Sequence, residues 1–429
     1  MTDTSARPPE PGAASSASVK KVLAALLLPL FFIVVFPLMF VSALHNPTPH
    51  NLSLLVVGPT QVVGPIADGL DDTDEFAATH TDDEAEARSS VENRTVDGAI
   101  LVTVDTPVAA DAETAPAETD KSSKTDKAAA ASAAPTFTVT TYFANAEGRS
   151  VASTVQAAAA KVAGELGTTA KSVDVAPLAK TDSLGVTLFY ILTYTSLAAY
   201  LVIIVLTQVQ PKARLRTRFA AVGVASVIAP LIVFGLSSIW VGDYGASFGS
   251  IMGLLGVNAL YVFTVGSAAI LIQQFLGNAA TFGIMAFIVF LNFPSAGGAG
   301  PAALLPPFWQ AIHSFYFGAG AMESFRSIIY FDGNGATRWI LQLLAWTVGL
   351  VLATIVVHLA KTTIAQKRQI AILSAATVTR ATDVEPDPAA PKHVKIDAYL
   401  VDDSGFDADP AITDGTKPRS ISALEGADR

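Results

Sequence analysis

The sequence predicts an α-helical polytopic membrane protein with six transmembrane helices in a one-plus-five arrangement. An α/β extracytoplasmic domain is expected between the first and second helices. Two observations lead to this fold class. Of the 429 residues, 51% are hydrophobic and only 15% are charged, which is too apolar for a soluble chain of this length. In addition, one long apolar segment precedes a polar, acidic stretch and five more apolar segments follow it.

The first apolar segment, residues 22–44, follows Lys20 and Lys21. It exceeds the roughly 18 residues that mark a membrane-spanning helix. A cleaved signal peptide is the alternative, because residues 41–43 (Val-Ser-Ala) resemble a cleavage site. We favour an uncleaved helix over residues 20–44, since the apolar run is long and further spans follow. Residues 1–19, rich in Pro, Ser and Ala, are expected to be a disordered cytoplasmic tail.

Residues 45–183 are polar and acidic and predict the α/β domain. Apolar or alternating runs predict strands, and segments with helical periodicity predict helices between them, as in a small α/β domain. Residues 106–135 form a low-complexity insertion that cannot bury a core. The predicted strands are 52–58, 96–104 and 136–144, and the predicted helices are 85–93 and 150–167.

The membrane half, residues 184–360, contains five further predicted spans, which are 184–209, 219–240, 250–273, 277–293 and 339–360. The short loop 241–249 has no basic residue, whereas bases follow the second and the last span. The positive-inside rule therefore places both termini in the cytoplasm. The Ala-rich, cysteine-free composition is typical of a bacterial envelope protein, so we expect a multi-pass protein of a bacterial plasma membrane. Residues 361–429 are expected to be a disordered cytoplasmic tail.

Several classes of function are disfavoured by what the sequence lacks. The six predicted spans contain no Asp, Glu, Lys or Arg, so a proton relay through the membrane has no carrier. The chain has no G-x-x-x-x-G-K-[ST] phosphate loop, so active transport would draw energy from a separate protein. No catalytic constellation is present, so we expect no enzyme activity, no cofactor and no metal. No uniform basic face is present, which disfavours nucleic acid as a partner.

The stretch 292–338 is too apolar for a surface loop and too rich in Gly and Pro for a continuous span. Irregular backbone at membrane depth is tolerated only inside protein or beside a wet cavity, so we predict a re-entrant stretch. Glu323 and Arg326 are spaced i, i+3 and can pair on one helix face. In one interpretation the two charges neutralise each other, so that a half-buried helix can lie at the outer membrane interface. In the other, the pair forms a polar element at the exit of a translocation path. The aromatic residues of the stretch, among them Trp309 and Tyr316, are expected in an interfacial belt.

A basic loop follows the second span and has two interpretations, which can both hold. Its positive charges fix topology and contact anionic membrane lipids, or they dock a cytoplasmic partner such as an ATPase subunit. The residues concerned are Lys212, Arg214, Arg216 and Arg218.

The layout and local motifs resemble a known group. One span, a large insertion and five spans with a broken segment before the last resemble the type-2 ABC exporter permeases. The local pattern is similar to the phage infection protein-like membrane proteins of Gram-positive bacteria. It comprises the small-residue turn 295–298, the Leu-Pro-x-Phe-type segment 305–308 and the Arg-x-x-x-Tyr-Phe ending at 326–331. A Pro-Leu junction within 174–185 is a second similarity.

The resemblance implies a permease-like exporter subunit for an envelope lipid, glycolipid or peptide, energised by a separate ATPase. We expect a homodimer, because five or six helices rarely enclose a path alone. The expected outer gate comprises Glu323, Arg326, His313, Pro306 and Pro307. The alternative is a non-transporting envelope scaffold or surface receptor anchored by its membrane domain.

Overall fold

The computed structural model describes residues 13–45, 47–105 and 136–382. These residues form a five-stranded mixed sheet with helices and a bundle of long apolar helices. In chain order the strands and α-helices are α1 (Ala13–Leu44), β1 (Leu52–Val57), α2 (Thr60–Asp71), β2 (Phe76–Thr81), α3 (Glu84–Glu92), β3 (Gly98–Asp105), β4 (Thr136–Phe143), α4 (Arg149–Glu165), β5 (Ala170–Asp174), α5 (Thr187–Val209), α6 (Leu215–Val241), α7 (Phe248–Leu276), α8 (Ala280–Ile284), α9 (Asn292–Ser295), α10 (Pro307–His313), α11 (Phe317–Tyr330) and α12 (Ala336–Thr382).

The sheet has the strand order β2-β1-β3-β4-β5. β1 runs parallel to β2 and β3, β3 runs antiparallel to β4, and β4 runs parallel to β5. The three strands predicted from sequence are the three central strands, because their apolar side chains fill both faces. The edge strands β2 and β5 and the helix α2 were not predicted. The low-complexity insertion 106–135 connects β3 to β4 and lies outside the described residues.

Helices cover both faces of the sheet, so two small cores are formed. α2 and α4 lie on one face, where Val63 and Val155 are fully buried. α3 covers the other face with Ala87 and Val91. This arrangement confirms the predicted α/β region.

Within the described residues, five helices are long and apolar enough to cross a membrane, namely Leu26–Leu44, Thr187–Val209, Leu215–Val241, Phe248–Leu276 and Ala336–Ser374. α7 lies at the centre and contacts α5, α6, α11 and α12. α1 lies at the periphery, where its Phe32 ring meets the Phe290 ring at 5.2 Å. The chain is therefore a polytopic membrane protein with an α/β region.

The segment predicted as the fifth span is an apolar helical unit, Ala280–Ser295, that is shorter than the five long helices. It comprises α8, a π-helical stretch at Met285–Leu291 and α9. Sixteen residues of helix extend about 24 Å, less than the roughly 30 Å of a hydrocarbon core. Within the described residues, the six predicted spans therefore correspond to five long helices and this shorter unit.

Two predicted tails differ in extent from the helices observed. α1 begins at Ala13, inside the predicted tail 1–19, and α12 continues to Thr382, beyond the predicted limit at 360. Residues 361–382, in which Ala, Thr and Ile are the most frequent residues, extend an existing helix, which is easier than nucleating one. The remaining parts of the predicted tails, 1–12 and 383–429, lie outside the described residues.

The stretch 292–338 connects the two halves of the molecule. After α9 it forms a turn, a short 3₁₀ helix at Ala302–Leu304, then α10 and α11. Leu304 is buried in the core that α2 and α4 share with the sheet, while Phe331 is buried in the core beneath α3. The stretch therefore contacts both faces of the sheet region.

Candidate functional site

A cluster of buried charges lies where the sheet region meets the membrane helices. We call Arg94, Glu147, His313, Glu323 and Arg326 the junction cluster. Their side chains expose between 4% and 15% of their surface. Buried charges are costly unless they are paired and hydrogen-bonded, so the pairing of each one decides whether the cluster is stable.

Arg94 reaches the cluster from the sheet region, directly after α3. Its backbone is left-handed, with φ +59°, at the position beyond the helix C-cap Asn93 that Gly or Asn usually occupies. A left-handed conformation costs a residue with a side chain about 1–2 kcal/mol. Such strain persists where the surroundings determine it, and here the side chain of Arg94 is fixed at several points.

The guanidinium of Arg94 joins both carboxylates of the cluster. Its Nε lies 2.5 Å from Glu147 Oε1, and its Nη2 lies 2.5 Å from Glu323 Oε2. Its Nη1 donates to the Ser327 hydroxyl at 2.5 Å and to the Glu323 carbonyl at 3.1 Å. The face of the guanidinium also lies 5.1 Å from the Phe331 ring centre. Arg94 thus connects the sheet region to α11 with charge-assisted hydrogen bonds, the stronger kind.

Glu323 and Arg326 project from α11, which is buried along most of its length. The predicted i, i+3 pair is present, with Arg326 Nη1 at 2.5 Å from Glu323 Oε1. Arg326 Nη2 donates to the Gly297 carbonyl at 3.0 Å, which secures the turn after α9. Gly297 has φ +78°, and a Cβ there would lie 2.9 Å from the His313 ring, so both backbone and space favour glycine.

His313, at the end of α10, lies behind Glu323. Its Nδ1 is 2.8 Å from the Ser295 carbonyl oxygen, which can only accept, so Nδ1 carries the proton of the neutral ring. Its Nε2 lies 3.9 Å from Glu323 Oε1. The ring also meets Trp339 edge-on at 5.4 Å. Protonation of Nε2 would therefore place a third cation beside Glu323, after Arg94 and Arg326.

Burial and the neighbouring charges shift the pKa values of Glu323 and His313. Burial alone would raise the pKa of Glu323, but the attraction of Arg326 and Arg94 outweighs it and lowers that pKa to about 2. Burial lowers the pKa of His313, and the nearby Glu323 offsets only part of the effect. At neutral pH two cations face two carboxylates, and His313 is neutral.

A cavity of about 390 Å³ opens beside the junction cluster. It lies between the sheet region, the segment 301–303 and the first residues of α12. All five residues of the junction cluster line it, and Asp97 and Arg338 are further charged residues in its lining. We call it the junction cavity, and its size suits a small-molecule group.

The structure brings together three of the five residues predicted for the outer gate, which are Glu323, Arg326 and His313. Pro306 and Pro307 instead start α10, as its N-cap and first residue, and lie outside the junction cavity. Proline suits that position because the missing N–H has no helical partner there. Arg94 and Glu147 were missed, since nothing in their local sequence indicates a partner far along the chain.

The predicted basic loop divides into two kinds of residue. Lys212, Arg214 and Arg216 are exposed. Arg218 instead bonds within the protein, to the carbonyls of Pro211 and Ala213 and to the side chain of Gln273. Lys361, within α12, bonds to the Gln274 carbonyl at the end of α7, so it lies at the same end of the bundle as the basic loop after α5. We call this the basic end.

The aromatic belt prediction is wrong for two of its residues. Trp309 and Tyr316 are 2% and 1% exposed, so they pack inside the protein rather than against lipid. The Trp309 indole donates to the Ser42 hydroxyl at 3.2 Å, and the Tyr316 hydroxyl donates to the Phe287 carbonyl at 2.8 Å. These bonds tie α10 to α1 and α11 to the π-helical stretch.

A polar network inside the bundle was also not predicted from the sequence, because the network contains no charged residue. Asn258 and Tyr261 of α7, Thr195 and Ser196 of α5, and Asn292 of α9 are fully buried. The Tyr261 hydroxyl bonds to Ser196 at 2.6 Å and accepts from Asn292 Nδ2 at 2.8 Å. Gly318 lies so close that a Cβ there would be 2.0 Å from Asn292 Oδ1.

The fold and site define a multi-pass membrane protein in which a sheet region is joined to the membrane helices through buried ion pairs. The family described as ABC-2 family transporter protein matches residues 20–359. The chain belongs to this family, whose members are membrane components of ABC transporters and typically work with an ATPase subunit. No curated protein and no solved structure matches the chain.

Proposed function

We propose that the chain is the permease subunit of an exporter that moves an envelope lipid, glycolipid or peptide, with the junction cluster as its outer gate. Within its family we group it with the phage infection protein-like membrane proteins. A separate ATPase supplies the energy, and two copies of the chain enclose the path. The proposal places the sheet region outside a bacterial plasma membrane and both termini in the cytoplasm.

The observation that carries the gate is the ion pair between Arg94 and Glu323. With the bonds from Arg94 to the Ser327 hydroxyl and the Glu323 carbonyl, it joins the sheet region to α11, the helix that also bears Arg326. Buried charge pairs are poor sources of net stability but are strongly disrupted when one partner leaves. Such a pair suits a gate with a closed and an open state, because a charged group of the cargo can replace either partner.

The distribution of bases supports the proposed orientation. The bases following α5 and Lys361 of α12 lie at the basic end, and the junction cluster lies at the other end of the same helices. Lys212, Arg214 and Arg216 are exposed there and suit a cytoplasmic ATPase. The lipid-facing helices expose large apolar side chains, among them Leu231 and Ile232 of α6, which suit lipid or a second copy.

A disulfide can test the gate directly because the chain has no cysteine. A Cβ added at Gly335 would lie 3.5 Å from Arg94 Cβ, within the range of a disulfide. The variant Arg94→Cys/Gly335→Cys lacks the ion pair in both redox states. When it is oxidised, the disulfide joins the sheet region to the start of α12. Each single-cysteine variant serves as the control for oxidation alone.

The readout is the lipid and peptide profile of the cell envelope in a deletion strain that carries each variant. We expect the oxidised double variant to give the profile of the deletion strain and the reduced form to give the profile of the Arg94→Cys control, so that the disulfide alone accounts for the difference. A deletion strain with the wild-type profile would refute export and favour the scaffold alternative. A disulfide that forms without changing export would refute the gate while leaving the family role intact.

A further inference from the structure

The junction cavity contains two charged groups that the junction cluster leaves unpaired. Arg94, Glu147, Glu323 and Arg326 are bonded to one another, so a ligand charge could reach them only by displacing a partner. Arg338 and Asp97 also line the cavity, and neither forms an ion pair with any residue that the structure describes. The cavity therefore offers one positive and one negative charge.

Arg338 lies at the start of α12 and is exposed towards the cavity. Its guanidinium carbon lies 4.8 Å from the centre of the Trp339 ring, so the ring supports one face of the group. The edge of a supported guanidinium stays available to two oxygens of one anion. This geometry suits a carboxylate or a phosphate.

Asp97 comes directly before β3 and is half-buried. Its Oδ2 accepts from the Ser53 backbone N–H at 2.8 Å and from the Ser53 hydroxyl at 2.7 Å. Its Oδ1 accepts no hydrogen bond from the described part of the chain. Burial raises the pKa of Asp97, and the nearby Glu147 adds to the effect. A cationic ligand group beside the free oxygen would relieve this cost.

We propose that the junction cavity binds a small zwitterionic group that carries a primary ammonium and an anionic oxyacid. Asp97 receives the ammonium, and Arg338 receives the oxyacid. Two sources share this chemistry, namely the backbone of a short peptide and a phosphoethanolamine headgroup. The proposal is independent of export, because the binding is measured without ATP and without transport.

The full chain in detergent is titrated by calorimetry with two probes, alanyl-alanine and glycerophosphoethanolamine. We expect saturable binding of at least one. N-acetyl-alanyl-alanine and alanyl-alanine amide each lack one charge and should bind about tenfold more weakly, the factor expected for one lost charged hydrogen bond. Binding of the dipeptide alone assigns a carboxylate, and binding of the phosphodiester alone assigns a phosphate.

The variants Arg338→Gln and Asp97→Asn should each weaken binding about tenfold on the same reasoning, while Arg338→Lys should retain part of it. Arg149→Gln and Asp82→Asn are charge-matched controls at exposed residues outside the cavity and should bind like the wild type. The modified ligands test the same contacts on the wild type, so the result does not depend on a variant that fails to fold. Absence of binding by both probes, or binding unaffected by both cavity variants, would overturn the proposal.

Discussion

Arg94 and Glu323 stand 229 positions apart in the chain, yet their side chains form an ion pair at 2.5 Å. One belongs to a polar turn of the sheet region and the other to a buried helix beside the membrane spans. The pair gives Glu323 a second charged partner besides Arg326, so both oxygens of its carboxylate are used. Any movement of the sheet region away from α11 must break it.

Removal of Arg94 should therefore destabilise the junction more than removal of an ordinary surface arginine. Arg94→Ala leaves Glu147 without its closest cation and Glu323 with only Arg326. The expected loss in free energy of unfolding is about 3–5 kcal/mol, typical of a buried pair broken on one side. Denaturant titration in detergent, followed by tryptophan fluorescence, measures it.

The matched control is Arg88→Ala. Arg88 pairs with Glu92 at 2.6 Å, but their side chains are 61% and 39% exposed, so water screens the pair. This variant should unfold like the wild type. Equal effects of the two substitutions would show that the Arg94 contacts do not hold the junction.

Gly318→Ala should disturb the buried polar network. The new Cβ would lie 2.0 Å from Asn292 Oδ1, so the amide must move, which weakens the bond that Asn292 Nδ2 donates to the Tyr261 hydroxyl. Overpacking of this kind costs about 1–3 kcal/mol. Thermal unfolding of purified protein should show the loss, and Asn292→Ala in the same chain should restore part of it by removing the clash.

Gly349→Ala is the control for the substitution itself. Gly349 lies within α12 with no atom within 4 Å of an added Cβ. Alanine is favoured over glycine in a helix by up to about 1 kcal/mol, so this variant should be neutral or slightly more stable. A Gly318→Ala protein as stable as Gly349→Ala would contradict the tight contact.

The junction should weaken in acid, and His313 sets the first step. Its folded-state pKa lies below the ordinary 6.5, so the stability it contributes is present above pH 6.5 and is lost as the pH falls through the folded pKa. The charged groups facing it are Glu323, Arg326 and Arg94. Glu323 adds a second loss of folding stability as the pH falls from 4.5 to about 2, because its pKa is lowered on folding.

His313→Gln keeps a donor for the Ser295 carbonyl but cannot titrate. Unfolding midpoints are measured across about pH 5–8, where histidines titrate. As the pH is lowered, the midpoint of the wild type should fall, and the midpoint of this variant should fall less. His80→Gln, at an exposed residue of β2, should follow the wild type. A variant that follows the wild-type profile would assign the acid effect to other groups.

The fold could be predicted from the sequence in the segments whose apolar or charged side chains repeat with the period of a strand or a helix. The strands 52–58 and 136–144 carry apolar residues that fill the sheet core, and Glu323 and Arg326 show the i, i+3 spacing of a helical pair. The edge strand β2, Phe76–Thr81, was missed because only Phe76 is large and apolar, while the residues after it are small or polar and at least partly exposed. A strand of that kind is specified by its neighbour β1 rather than by its own pattern.

The site was predicted only in part, for a related reason. Arg94 lies in a polar turn, where an arginine ordinarily faces water, and its partners come from Asn145–Glu147 and α11. Only the folded chain brings these segments together. The buried network around Tyr261 escaped because hydroxyl and amide groups occur throughout apolar helices, so none stands out without its partner.

The basic loop should separate docking from internal support. Lys212, Arg214 and Arg216 are exposed, so replacing all three by Gln should remove a partner contact without changing stability. Arg218 instead bonds to Gln273, which in turn bonds to Thr207, so it joins the ends of α5, α6 and α7. Arg218→Gln should lower the thermal unfolding midpoint, because two backbone carbonyls and Gln273 lose their donor.

The measurement is the ATPase activity that co-purifies with a tagged chain, taken together with the unfolding midpoint of each variant. Loss of the activity in the triple variant at unchanged midpoint assigns docking to the three exposed bases. Retention of the activity in the triple variant would leave these bases with a topological role alone, since positive residues hold a loop in the cytoplasm without any protein partner.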